Sequence, residues 1–186
     1  MATYRYQFLV GQKAGKNLSY FPDYLGSKSS QYTQFTFHNG MWYDPKQYPQ
    51  LHGKNNTLFG LLYRGGVLTY GANIFYWGWK PSPTKNKFEI YANVCTDVTL
   101  PPIVHKMGEV DGNLRERLLL KFTKTEYFGF DMCKYDVNGQ PQSVAFWQTS
   151  NNTGGSYWFA YRYPPTMELQ SGSPIAYQMI ITDSVN

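Results

Sequence analysis

Charge is scarce in this chain. Only 16% of its 186 residues are Asp, Glu, Lys or Arg, against about 25% in soluble domains generally. The 17 basic residues behind the formal charge of +5 are scattered, without the run that marks a nucleic-acid-binding arm. Cysteine is scarcer still. Cys95 and Cys133 share no CxxC spacing and have no His at ligand spacing, which argues against a zinc site. Either a disulfide or two buried thiols remains; each falls in an apolar, strand-like run, which favours reduced thiols acting as small hydrophobes.

Long apolar runs are missing too. None approaches the roughly 18 residues of a spanning helix, and MATYRYQFLVGQ lacks the basic start and apolar stretch of a signal peptide. Helical periodicity is nearly absent: residues 111–120, DGNLRERLLL, could make two turns, but Leu118, Leu119 and Leu120 fit a buried strand better. HExxH, GxSxG, GxGxxG, P-loop and DxDxDG patterns do not occur. Neither metal nor cofactor is expected.

Aromatics are abundant instead, at 17 Tyr, 12 Phe and 5 Trp. They sit in short runs with Val, Ile and Thr, broken every few residues by Gly, Pro, Asn or Asp, which reads as strands and turns. Strands are expected over 3–10, 31–38, 58–64, 67–76, 87–95, 117–122, 126–135, 143–149, 157–163 and 175–182, about ten in all. Gly65-Gly66 reads as a two-residue hairpin loop, where positive φ favours glycine, and Asn138-Gly139 is the strongest short-range hairpin signal in the chain. The expected fold is all-β: a single domain, 1–186, of two packed antiparallel sheets in a jelly-roll-like sandwich, since one sheet could not hide so many rings.

The stretch GANIFYWGWKPSP concentrates the aromatic question. Alternation puts Phe75, Trp77 and Trp79 on one face and Ile74, Tyr76 and Gly78 on the other. Core packing is the favoured reading for the first three, with partner contact as the alternative. Gly78 removes a side chain where a neighbour can approach. In NGMWYDPKQYPQ, the residues Trp42, Tyr43, Asp44 and Tyr48 form the best candidate ligand loop, joined by Asn55, Asn56, Asn151, Asn152, Tyr157 and Trp158, because ring faces stack on sugars while amides bind hydroxyls. His38, His52 and His105 fall in no catalytic pattern. Glu89 and Asp131 lie in expected strands and Asp97, Glu109 and Asp111 in or near turns, and nothing in the sequence pairs any two of them. Sequons at Asn17, Asn55 and Asn151 read as chance in an Asn-rich chain.

In texture the chain resembles small Tyr-rich, Asn-rich jelly-roll proteins of virions and bacterial surfaces. On this reading it is not an enzyme. It is a structural or recognition subunit of a larger assembly such as a phage-like virion or surface appendage, with other protein subunits as partners in a homo-oligomer or larger array. A lectin-like, glycan-binding module is the alternative. Neither nucleic acid nor membrane is an expected partner; the sequence assigns no location and leaves virion and cytoplasm open.

Overall fold

The computed structural model describes residues 2–13, 16–17, 30–51, 55–64, 72–95, 103–114, 117–124, 130–135, 140–146, 159–163, 167 and 172–185. Among them the chain is nearly all β. The strands are β1 (Ala2–Phe8), β2 (Lys16–Asn17), β3 (Ser30–Thr36), β4 (Asn56–Arg64), β5 (Ala72–Pro81), β6 (Lys87–Cys95), β7 (Ile103–Asp111), β8 (Arg117–Lys124), β9 (Phe130–Tyr135), β10 (Pro141–Phe146), β11 (Phe159–Tyr163) and β12 (Tyr177–Val185), with two short 3₁₀ turns at Asn39–Met41 and Pro49–Leu51. All pairings are antiparallel, in one sheet of order β10-β9-β8-β3-β12-β1-β2 and a second of order β11-β4-β5-β6-β7. No helix among the described residues is long and apolar enough to cross a membrane.

The two sheets meet through their inner faces. Tyr6, Phe8, Phe35, Met179 and Ile181 come from the first sheet and Trp77, Trp79, Phe88, Ile90 and Val94 from the second, and they form one buried cluster. Trp79 is its hub, with ring contacts to Phe37, Tyr43, Phe88 and Tyr177 at centroid distances of 6.2, 6.4, 5.6 and 6.1 Å. Edge-to-face geometry places the positive ring edge of one aromatic on the negative face of the next, which adds to the area buried.

Trp77 and Trp79 are 0% and 1% exposed, so the core reading holds for both; Phe75 lies in β5, and its side chain is outside the described residues. Residues 103–111 form a full strand that the expected ten lacked, and β2 adds a two-residue pairing to β1. The hairpin of β4 and β5 is present, but its register starts at Arg64↔Ala72. A two-residue loop at Gly65-Gly66 would pair Arg64 with Val67, so the connection is longer, and residues 65–71 lie outside the described ones. β9 and β10 pair from Tyr135↔Pro141 around the Asn138-Gly139 signal. The helical option at 111–120 gives way to a turn at 112–114 between β7 and β8. Cys133 is a buried free thiol.

Because Trp79 touches four rings from different segments, its loss leaves a cavity that no single neighbour can fill. Trp79→Ala should cost about 3–5 kcal/mol of unfolding free energy, read as a lower urea midpoint with an unchanged slope.

Candidate functional site

The outer face of the five-stranded sheet carries the chemistry. In β6 the inward positions are Phe88, Ile90, Ala92 and Val94, all buried, so period-2 alternation turns Glu89, Tyr91 and Asn93 outward. In β5 the inward Trp77 and Trp79 likewise turn Gly78 and Lys80 outward. β7 departs from the rule. Lys106 and Glu109 are three apart and would face opposite sides of a regular strand, yet Lys106 pairs with Tyr91 and Glu109 with Glu89. A bulge between those pairs sets Met107 and Gly108 against Ile90 and brings both charged side chains to the outer face. Gly108 has φ +106°, a conformation that other residues adopt only with strain.

The result is a cluster centred on Glu89. Lys106 Nζ donates to Glu89 Oε1 at 2.6 Å, and Tyr91 Oη donates to Glu89 Oε2 at 2.5 Å. Lys80 Nζ stands 3.8 Å from Oε2 and 4.8 Å from the centre of the Tyr91 ring, a cation–π arrangement. Glu109 reaches Lys106 at 3.5 Å and accepts from Ser82 Oγ at 3.3 Å. Burial alone would raise the Glu89 pKa. The hydrogen bonds from Lys106 and Tyr91, with the charges of Lys106 and Lys80, outweigh it and hold the carboxyl below its ordinary value. The same pairing raises Lys106. Burial, reinforced by Glu89 and Glu109, pushes the Tyr91 hydroxyl well above the usual phenol range.

Lys80, Glu89, Tyr91 and Lys106 line a cleft of about 320 Å³ whose remaining walls are Pro45, Pro81 and Pro83. Pro45 is presented by a turn in which Asp44 Oδ1 accepts the Lys46 N–H at 2.9 Å. Trp42 Nε1 donates to Ser82 O at 3.1 Å and so ties that loop to the end of β5. One step along the face, Asn55 Nδ2 donates to Asn93 Oδ1 at 2.8 Å, both residues being buried. They close over Gly78, where a Cβ would stand 2.8 Å from Asn55 Cβ and Asn93 Nδ2.

The expected ligand loop therefore contributes a wall through Pro45, while its aromatics turn to the core. Tyr43 is buried and its hydroxyl accepts from Asn56 Nδ2 at 3.1 Å. Tyr48 is half-buried against the Tyr43 ring, and Trp42 is half-buried at the Ser82 carbonyl. Asn151, Asn152, Tyr157 and Trp158 lie outside the described residues, as does His52. The Asn55 sequon is buried and unsuited to a glycan. His38 Nε2 donates to Gln178 O at 2.8 Å, and His105 is exposed on β7. No group of three His, Cys, Asp or Glu placed to hold a metal occurs among the described residues. Lys80, Glu89, Tyr91 and Lys106 were missed as a site, because only the register of three strands assembles them.

No family model matches the chain, and no curated protein matches its sequence. Solved structures do match its fold. A double variant of alginate lyase Aly36B with alginate trisaccharide aligns at TM-score 0.60 and 11% identity, over 99% of this chain and 81% of that one. A second double variant, with a lysine and a tyrosine replaced by alanine and alginate tetrasaccharide bound, aligns at 0.60 and 10%, over 98% and 79%. Scytalido-glutamic peptidase with a transition-state analogue aligns at 0.50 and 11%, over 99% and 80%. At such identity the likeness is one of fold. These neighbours are enzymes, which overturns the expectation of a non-enzymatic virion or appendage subunit, and of a purely lectin-like module beside it.

The Glu89 cluster has a definite pH signature. With its folded pKa lowered, Glu89 stabilises the fold fully above its ordinary value of 4.5, and that contribution is lost as pH falls through the lowered one. Lys106, raised from 10.5, contributes below that pH and loses its contribution as pH rises through the raised value. Glu89→Gln should therefore lose less stability than the parent between about pH 5 and pH 3, as measured by urea unfolding across that range.

Proposed function

We propose that this chain is an enzyme that cleaves an acidic polysaccharide by β-elimination, with the Glu89 cleft receiving the uronate. The observation that carries the reading is the convergence of Lys80, Lys106 and the Tyr91 hydroxyl in one cleft of the outer sheet face. Elimination at a uronate breaks the C5–H bond, with the proton passing to the Glu89 carboxylate of the cleft and from there back to Tyr91 along the hydrogen bond between them, forms the C4–C5 double bond and expels the glycosidic oxygen from C4. The carbanion formed at C5 spreads its charge onto the carboxylate, and fixed positive charge there stabilises it. Lys80 and Lys106 provide that charge. The leaving oxygen needs a proton, and Tyr91, whose hydroxyl is held protonated by burial and by Glu89, is suited to donate it.

The alginate-bound neighbours support the substrate class, and the lysine and tyrosine replaced in one of them are the residue types that line this cleft. We read the two sheets as a jelly-roll sandwich, supported by the long-range pairings of β1 with β12 and β4 with β11. The peptidase likeness offers hydrolysis through a glutamate instead. Hydrolysis leaves the Lys80 ammonium at the cleft without a role, whereas a uronate carboxylate engages it.

The test is incubation with alginate and other polyuronates, following the ultraviolet absorbance of the unsaturated product. Tyr91→Phe should lower kcat by about 10²- to 10⁴-fold with little change in KM, whereas Lys80→Met should raise KM. New reducing ends without the absorbance, or no cleavage of any polyuronate, would overturn the reading.

A further inference from the structure

The cleft lining sets two ammonium groups, Lys80 and Lys106, against one carboxylate, Glu89, and its other walls are uncharged prolines and the Tyr91 ring. That leaves a surplus of one positive charge in the lining, with a second carboxylate, Glu109, just outside it, 3.5 Å from Lys106. Resting on the reading above, we infer that Glu89 and Glu109 determine specificity by charge: the cleft accepts sugar residues bearing a single carboxylate and rejects residues that also carry a sulfate.

The geometry assigns the positions. Lys106 is committed to Glu89 through a 2.6 Å hydrogen bond and flanked by Glu109. Lys80, at 3.8 Å from Glu89, lies beyond hydrogen-bonding distance of it and is the cation with donors left for an incoming carboxylate. Its ammonium sits over the Tyr91 ring, so a carboxylate on Lys80 lies beside the phenol. The proline walls and the ring accept the C–H face of the sugar. A second anionic group on the same sugar would find no further surplus cation in this lining and would meet Glu89 or Glu109. Like charges a few Å apart in a partly screened cleft repel enough to change affinity by roughly tenfold or more.

Three matched probes test this by isothermal titration calorimetry on the full chain: alginate tetrasaccharide, its carboxyl-reduced neutral form, and the same tetrasaccharide O-sulfated. The parent probe should bind best, and both modified probes at least about tenfold more weakly. Glu109→Gln and Glu89→Gln each remove one negative charge, so each should move the sulfated-to-parent affinity ratio toward the sulfated probe by roughly tenfold. Circular dichroism confirms that each variant is folded, and Glu109→Gln, at the rim, serves if Glu89→Gln is not. Failure of the parent probe to bind, sulfated probe bound as tightly as parent, or a ratio unmoved by substitution in a folded variant would overturn the inference. Tetrasaccharide binding with the expected ratios but no cleavage of the polymer would remove the proposed reaction and leave the charge selection standing.

Discussion

The inward burial of Trp77 and Trp79 is the constraint on which the rest of the structure depends. Strand side chains alternate, so fixing two of them in the core fixes the outward direction of every other residue in β5. A slip of one residue would drive Lys80 into the ring cluster and Trp79 into solvent. Trp79 contacts rings from β12, from β6 and from the segment after β3, so the same side chain aligns the two sheets. The position of Lys80 beside Glu89 is thus decided on the opposite face of its own strand.

β7 adds the one irregularity the site requires. Without the bulge at Met107 and Gly108, either Lys106 or Glu109 would point inward, and an uncompensated buried charge is among the costliest errors a fold can carry. With it, Met107 and Val110 both face the core although they are three residues apart, and the charged pair shares the surface. Electrostatics then takes over from packing. Glu89 loses hydration at the cleft floor, and its partners return more than burial removes, because Lys106 and Tyr91 bond it directly and a second cation, Lys80, lies close.

What could be read in advance follows from that contrast. The alternation of Phe88, Ile90, Ala92 and Val94 with Glu89, Tyr91 and Asn93 is enough to place β6 and its faces, and the small residue at Gly78 marks the close approach of Asn55 and Asn93. β7 was invisible for a physical reason: IVHKMGEVD breaks alternation at its bulge, and as an edge strand it leaves Ile103 and Val104 exposed. Two of the four ionised residues of the Glu89 cluster sit on it. The expected ligand loop was only partly legible, because Trp42 and Tyr43 draw attention by ring size, and ring size reports burial. Pro45, the member that lines the cleft, has no chemistry to advertise. Register, which brings Lys80, Glu89 and Glu109 into one row, is a long-range property that periodicity does not encode.

The scarcity of charge gives the cluster its meaning. In a chain with 16% charged residues ionic contacts are few, and solvated pairs are a weak source of stability wherever they fall. Four ionised side chains linked pair by pair beside a cleft, two of them on a strand distorted to admit them, answer to a different demand. Inner faces need only volume and apolar surface, which is why structures at 10–11% identity share this arrangement of sheets. Outer faces are free of that requirement, and a few polar substitutions there change chemistry without disturbing the core. A conserved fold and an unrecognisable sequence are then compatible, and the residues that define function are those that packing does not explain.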